Sequence, residues 1–134
     1  MANFIKWNQS VSVQQELLDK QHKQIYDHIN KLHAAIMEKS VDKALTISIM
    51  NNIENYTNEH FSTEEKLLAA CNYPGLEEHK LIHQKMSKKT AELAQEIRQI
   101  RGTDAQALLL FLKDWWQQHI LKTDMKYVPL SKWS

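Results

Sequence analysis

Residues that interrupt helices are scarce in this chain, and this scarcity constrains its fold more than any other feature. Only two glycines and two prolines occur among the 134 residues. Glycine and proline are the residues that destabilise helix interiors most strongly, so long helices can form between the few positions they occupy. The length is typical of one domain with its own core. We therefore expect a single all-α domain.

Apolar residues recur at spacings of three and four along four segments, and this pattern predicts four amphipathic helices. The predicted elements are an N-terminal arm over residues 1–18 and helices over about residues 19–38, 41–70, 76–101 and 104–123. Ser40 and Gly102 are predicted caps, and Pro74-Gly75 marks a turn. Because the connections are short, the helices are expected to form an antiparallel up-down-up-down four-helix bundle.

Polar residues interrupt the core-facing stripes of all four helices. The stripe of the second helix, for example, is predicted to run from Leu45 to Leu67 with two polar residues inside it. The polar residues at core-facing positions are His22 in the first helix, His60 and Glu64 in the second, His79 and His83 in the third, and His119 in the fourth. Buried polar groups are costly unless they are paired or bind a metal. One core histidine is usually a hydrogen-bonded residue, whereas four helices that each contribute one favour a shared metal site.

These six side chains are expected to converge at one end of the bundle. The pairs His60–Glu64 and His79–His83 each have a spacing of four, so each pair projects from one helix face. Both pairs lie toward the predicted turn between their helices, one before it and one after it, and are therefore expected to meet at a similar depth. The other two histidines lie near the start of the first helix and near the end of the fourth, at the same end of an antiparallel bundle.

Asp124 is a seventh candidate with a less regular position. It follows His119 by five residues, which is about 140° round a straight α-helix. Both residues could face one site only if the helix widens into a π-type turn or ends at this point. The spacing alone leaves the role of Asp124 open.

The composition of this set indicates which metals it suits. Imidazole and carboxylate groups together suit iron, zinc, manganese or copper. Seven protein ligands are too many for one tetrahedral zinc ion, so two ions are predicted. Two six-coordinate ions that shared both carboxylates and one oxygen bridge would leave one position open for a small ligand. The Glu-x-x-His motifs of ferritin-like di-iron enzymes are absent from the sequence, which favours reversible binding over oxidative chemistry.

The combination of motifs resembles the hemerythrin family, specifically its single-domain bacteriohemerythrins. The motifs are Gln21-His22, His60-Phe61-x-x-Glu64-Glu65, His79-x-x-x-His83 and His119-Ile120-x-x-x-Asp124, and the similarity extends from Phe4 to Tyr127. The resemblance implies a non-haem centre of two iron ions that alternate between the ferrous and ferric states. It assigns His79, His83 and His119 to one iron, His22 and His60 to the other, and Glu64 and Asp124 as bridges together with an oxo or hydroxo group.

The resemblance also implies that dioxygen binds reversibly at the iron with two histidines, as in an oxygen carrier, store or delivery protein. The implied pocket around the open position is lined by Phe61, Trp115, Trp116 and Ile120. A dry pocket of this kind limits water and proton entry and so slows autoxidation. The family commonly has leucine at the position of Trp116. We hypothesise that this tryptophan changes dioxygen access or the autoxidation rate; alternatively, its ring turns away and packs elsewhere.

Three neighbouring polar residues are predicted to lie outside the site. Glu65 points about 100° away from Glu64 round the helix and is expected at the surface. His28 is expected to be solvated. His33 lies roughly 16 Å along the helix axis from His22 and is expected to be a packed, hydrogen-bonded residue.

Other function classes are less compatible with the sequence. With 17 basic and 16 acidic residues, the chain lacks the basic footprint of a nucleic-acid-binding protein. The longest apolar run, 107–112, is too short to span a membrane. The N-terminal residues lack the apolar stretch of a signal peptide, so none is expected. Cys71 is the only cysteine, so an intrachain disulfide is not expected. We therefore expect a cytoplasmic monomer that is not an enzyme. The alternatives are an oxygen or redox sensor module, a nitric oxide or peroxide reductase, and, less favoured, an iron store.

Overall fold

The computed structural model describes residues 4–38, 43–99 and 104–128, and for residues 97–99 and 104–108 it describes the backbone only. Its helices are α1 (Glu16–Ile36), α2 (Lys43–Ala70), α3 (Leu76–Gln99) and α4 (Asp104–Gln118). A 3-10 helix (Gln9–Val11) precedes them, and a π-helix (His119–Thr123) and a 3-10 helix (Asp124–Lys126) follow. None of the described residues lies in a strand. The prediction of an all-α four-helix bundle is confirmed.

Helix α1 begins at Glu16, three residues earlier than the sequence predicts, and ends at Ile36. Its first turn is capped by Gln15, whose side-chain oxygen accepts the N–H of Leu18 at 2.7 Å. The preceding arm is attached to the bundle through Asn30, whose side chain accepts the N–H of Ile5 and donates to its carbonyl, each at 2.9 Å. The arm therefore contributes to the core, and Ile5 is buried.

Helix α2 packs against both α1 and α3, so its buried face is wider than a single stripe. The predicted stripe is wrong at one end, because Leu45 is 50% exposed. At the other end Leu68 is buried, whereas Leu67 is only half-buried. The additional buried residues of α2 are Thr46, Met50, Thr57, Phe61 and Leu68.

The turn between α2 and α3 aligns the two helices that carry the central histidines and Glu64. The N–H of Tyr73 donates to the carbonyl of Leu68, and the N–H of Asn72 donates to that of Ala69. Asn72 has a φ of 55°, so this is a Schellman cap with asparagine in the left-handed position. A Cβ at Gly75 would lie 2.8 Å from the hydroxyl of Tyr73, which explains the glycine there. The predicted caps Ser40 and Gly102 lie outside the described residues.

A membrane-spanning helix must be both long and predominantly apolar. Within residues 4–38, 43–99 and 104–128, no helix is both long enough and apolar enough to cross a membrane.

Candidate metal centre

One end of the bundle contains a buried cluster of five imidazoles and two carboxylates, each at most 4% exposed. Their potential ligand atoms form two groups, and within each group all the atoms lie within 4.8 Å of one another. The five-residue group is Glu64, His79, His83, His119 and Asp124, and the four-residue group is His22, His60, Glu64 and Asp124. The structure therefore brings together all seven candidates, and both carboxylates belong to both groups.

The two oxygens of Glu64 face different groups. Its Oε1 lies 2.5 Å from Nε2 of His79 and 3.1 Å from Nε2 of His83. Its Oε2 lies 3.4 Å from Nε2 of His60 and 3.8 Å from Nε2 of His22. A carboxylate in this orientation can give one oxygen to each of two neighbouring ions.

Asp124 divides its oxygens between the groups in the same way. Its Oδ1 lies 3.0 Å from Nε2 of His119 and 3.2 Å from Nε2 of His79. Its Oδ2 lies 3.3 Å from Nε2 of His22. The two carboxylates thus lie between the five-residue and four-residue groups and have the geometry that bridging requires.

The π-helix that follows α4 explains how Asp124 reaches the cluster. The N–H of Asp124 donates to the carbonyl of His119, five residues earlier, as well as to that of Ile120. This wider turn contains one residue more than an α-helical turn, so His119 and Asp124 face the same side. Of the two arrangements considered from the sequence, the structure therefore has the π-type turn.

Several atoms of the cluster are buried and, although they lie close to one another, form no hydrogen bond of suitable geometry with the described residues. They are both ring nitrogens of His22, Nε2 of His60, His83 and His119, and both side-chain oxygens of Asp124. Buried polar atoms normally have partners, because losing hydration without replacement is costly. Imidazole nitrogens and carboxylate oxygens are ligands for first-row transition metals. The orphaned atoms therefore fit a metal centre.

The charges of the cluster are coupled. Burial alone would lower the pKa of His79, but the adjacent carboxylates of Asp124 and Glu64 outweigh burial and raise this pKa to about 9. Burial alone would raise the pKa of Glu64, but the surrounding histidines hold it well below its usual range. The pKa of Asp124 is lowered as well, against the effects of burial and of Glu64, by His119 and His22. The carboxylates are thus ionised, as metal ligands must be.

A second layer of hydrogen bonds orients two of the imidazoles. Nδ1 of His60 donates to Oε1 of Gln21 at 2.8 Å, and the amide of Gln21 donates to Oγ1 of Thr63 at 3.3 Å. With the proton on Nδ1, the lone pair on Nε2 of His60 points into the cluster. Gln21 directly precedes His22 in the sequence motif, but helical periodicity alone did not assign it this role.

Glu65 and Tyr127 also contact the cluster. The side chain of Glu65 is 26% exposed, so it lies at the edge of the bundle, but the prediction that it lies outside the site is wrong. Its Oε2 accepts a hydrogen bond from Nδ1 of His83 at 2.8 Å. Consecutive residues of a helix differ by about 100° round its axis, and this rotation from Glu64 directs the side chain of Glu65 toward α3 rather than away from the bundle. Tyr127 is buried and its hydroxyl donates to Oε2 of Glu64 at 3.1 Å.

Aromatic rings cover the cluster on two sides. Phe61 is buried and stacks on His83 with ring centroids 3.8 Å apart. Trp116 is fully buried, and its ring centroid lies 6.0 Å from that of His60 and 6.4 Å from that of His22. Trp116 therefore does not turn away from the cluster but packs against both histidines of the four-residue group.

The other two predicted pocket residues occupy different positions. Ile120 is buried beside the core, as a pocket residue would be. Trp115 is only half-buried and stacks on His119 with ring centroids 4.3 Å apart, so it lies beside the five-residue group. It also lines a surface groove with Asp114 and Lys122.

The other two histidines of α1 lie outside the cluster, as the sequence predicts. His33 stacks on Phe4 of the arm with ring centroids 4.4 Å apart, in agreement with a packed residue. His28 is half-buried beside Tyr56, at a centroid distance of 4.6 Å, and is therefore less solvated than expected.

The known proteins that this chain resembles, in sequence and in structure, are hemerythrins. The family model described as the hemerythrin HHE cation binding domain matches residues 13–131. A bacteriohemerythrin of Stenotrophomonas maltophilia is 30% identical over 130 residues, which cover 96% of this chain and 82% of that protein. A myohemerythrin of Sipunculus nudus is 31% identical over 121 residues, covering 90% and 88%.

A crystal structure of wild-type hemerythrin has a TM-score of 0.84 with this fold at 25% sequence identity, covering 95% of this chain and 97% of that chain. The matched region contains the entire cluster from His22 to Asp124. The sequence, the fold and the donor set agree, and the chain belongs to the hemerythrin family.

Proposed function

We propose that this protein binds dioxygen reversibly at a non-haem di-iron centre, as an oxygen carrier, store or delivery protein. The observation that carries the proposal is the division of the carboxylate oxygens. Glu64 and Asp124 each direct one oxygen to the five-residue group and the other to the four-residue group. This arrangement supports two ions at neighbouring positions, bridged by both carboxylates.

In this proposal each group holds one iron ion. The residues that would ligate the first ion through imidazole are His79, His83 and His119, and those that would ligate the second are His22 and His60. An oxo or hydroxo group would complete the bridge. The first ion would then have six ligands and the second only five, so the open position would lie at the ion that His22 and His60 would hold.

When bound, the iron pair supplies the electrons for reversible dioxygen binding. The protein contributes orientation and exclusion of water. Gln21 and Glu65 hold the rings of His60 and His83 through their Nδ1 protons, with Nε2 toward the centre. The buried side chains of Phe61 and Trp116 keep bulk water from the centre, which favours release of dioxygen unchanged over irreversible oxidation.

Anaerobic reconstitution with ferrous iron followed by exposure to air tests the proposal. The expected result is two iron ions per chain and a visible charge-transfer band that disappears when dioxygen is removed and returns when it is readmitted. A stoichiometry below two, or a band that never reverses, would contradict the proposal. Asp124→Ala, which removes one carboxylate bridge, is the matched variant and is expected to lose the band.

The same preparation distinguishes a carrier from an enzyme. A carrier returns the bound dioxygen and shows no sustained turnover when an electron donor is supplied. Steady-state consumption of nitric oxide or peroxide with that donor would instead assign the protein to the reductases.

A further inference from the structure

Trp116 contains a buried hydrogen-bond donor that none of the described residues pairs with. Its side chain is fully buried, and its Nε1 has no acceptor among the described residues. Roughly 90% or more of the buried polar groups in proteins have a partner, and leaving a donor unpaired is unfavourable. An indole N–H that is buried without an acceptor among the described residues is therefore free to donate to a bound ligand.

The position of this ring indicates where that partner binds. Trp116 packs against both His60 and His22, the two imidazoles of the four-residue group. Its ring also lies 5.7 Å, centroid to centroid, from Phe61, which occupies the side toward the five-residue group. The indole of Trp116 thus lies directly beside the two imidazoles of the four-residue group.

We propose that the indole N–H of Trp116 donates a hydrogen bond to the small ligand at the open coordination position. The inference rests on the proposed function, which locates that position at the ion held by His22 and His60. The ligand class is a small molecule or anion that carries negative charge and a free lone pair when bound, such as dioxygen or azide. No covalent step is involved.

Two physical effects favour this hydrogen bond. A hydrogen bond to a charged acceptor is roughly twice as strong as one between neutral groups. The buried surroundings, with Phe61 and Ile120 nearby, reduce competition from water and strengthen the interaction. Trp116 is therefore a specificity-determining residue of this chain that favours ligands able to accept a hydrogen bond.

Azide binding to the oxidised di-iron protein provides the test. Trp116→Phe removes the N–H and part of the ring, and replacement of Trp116 by benzothienylalanine removes the N–H while keeping two fused rings. Both variants are expected to bind azide about tenfold more weakly, which corresponds to about 1.4 kcal/mol for a hydrogen bond to a charged group. The loss should appear in the dissociation rate, because a wider pocket alone speeds association and dissociation together.

Thr90→Val is the matched control. Thr90 also has a buried side-chain oxygen without a hydrogen-bond partner among the described residues, but it lies about 10 Å along α3 from His83. This substitution is expected to leave azide affinity unchanged. Ultraviolet resonance Raman spectroscopy gives a second readout. Subtracting the spectrum of Trp116→Phe from that of the parent protein isolates the indole bands of Trp116, and the N–H band is expected to shift when azide is added.

The outcomes separate this inference from the proposed function. If the parent protein binds two irons and azide, and the benzothienylalanine variant binds azide equally well, the hydrogen bond is absent and the proposed function stands. If the parent protein binds fewer than two irons, both the function and the inference are overturned. If Trp116→Phe does not fold, the benzothienylalanine variant decides alone, because it keeps the fused-ring shape of the side chain.

Discussion

Oε2 of Glu65 lies 2.8 Å from Nδ1 of His83, and this hydrogen bond joins the edge of the bundle to its buried cluster. The side chain of Glu65 is 26% exposed, whereas that of His83 is buried. Because the carboxylate accepts the proton of Nδ1, Nε2 of His83 is left with a lone pair that faces Oε1 of Glu64 at 3.1 Å. A partly solvated residue thus sets the orientation of a buried imidazole.

Glu65→Ala is expected to weaken iron binding without unfolding the bundle. Loss of such an outer partner typically costs about 10- to 100-fold in metal affinity, because the imidazole loses its orientation and some basicity. Competition with an iron chelator measures the change. Glu59→Ala, which removes an exposed carboxylate from the same helix, serves as the control and should retain the parent affinity. Equal affinities for the two variants would contradict this role of Glu65.

Helical periodicity is sufficient to predict six residues of the cluster, because each of them falls on the core-facing stripe of its helix. His60 and Glu64, for example, are both buried, as their spacing of four predicts. Asp124 could not be assigned in this way, because its position depends on a hydrogen bond between residues five apart. Tertiary packing, rather than the local sequence, decides whether a π-turn or an α-turn forms, and it leaves no periodic pattern in the sequence.

The two incorrect predictions of residue burial have a common physical cause. The angle round an isolated helix places Leu45 in the core and Glu65 at the surface, but burial depends on which neighbouring helices that angle meets. Glu65 faces α3 and reaches His83, whereas Leu45 lies on α2 with half its surface exposed. Periodicity therefore predicts the core stripe more reliably than it predicts the boundary residues on either side.

The π-helix after α4 contains one residue more than an α-helical turn, so deleting or inserting one residue there is expected to have opposite effects on the metal site. Deletion of the exposed Leu121 would convert the π-turn into an α-turn and leave His119 and Asp124 four apart, about 40° round the helix. This variant is expected to keep two irons. Insertion of one alanine after Leu121 would instead separate the two residues by about 240° and is expected to remove Asp124 from the site.

Iron content per chain after reconstitution distinguishes the two length variants, and circular dichroism checks that both remain helical. Loss of iron from the deletion variant would refute the description of the turn as a one-residue insertion. Retention of two irons by the insertion variant would show that Asp124 is not needed to hold the second ion.

The stability of the metal-free protein is expected to fall as pH rises from about 6.5 to about 9. The pKa of His79 rises from 6.5 to about 9 on folding, because Asp124 and Glu64 outweigh the opposite effect of burial. A raised pKa means that the folded state binds the proton more tightly, so this stabilisation is complete below pH 6.5 and is lost through pH 9. The expected loss is on the order of 1–3 kcal/mol.

Urea unfolding of the metal-free protein at a series of pH values measures this change, and His79→Gln is expected to remove it. The lowered pKa values of Glu64 and Asp124 act in the opposite direction, and their stabilisation is lost only as pH falls below the usual carboxylate range. A stability that rises between pH 6.5 and 9 would contradict the assignment for His79.

Trp116→Leu is expected to accelerate both dioxygen association and autoxidation. The indole is fully buried against His60 and His22, so replacing it with leucine creates space beside the four-residue group. Small ligands and water can then reach the centre through the same space, and water entry promotes irreversible oxidation. The new cavity should also lower the free energy of unfolding by roughly 2–4 kcal/mol.

Stopped-flow mixing with dioxygen gives the association rate, and the decay of the oxygenated spectrum gives the autoxidation rate. Trp7→Leu is the control, because Trp7 belongs to the N-terminal arm and contacts Lys23 rather than the cluster. Unchanged rates in Trp116→Leu would mean that the ring of Trp116 does not obstruct ligand entry. Faster dioxygen association with unchanged autoxidation would instead separate the path of dioxygen from the path of water, because a shared path requires both rates to rise.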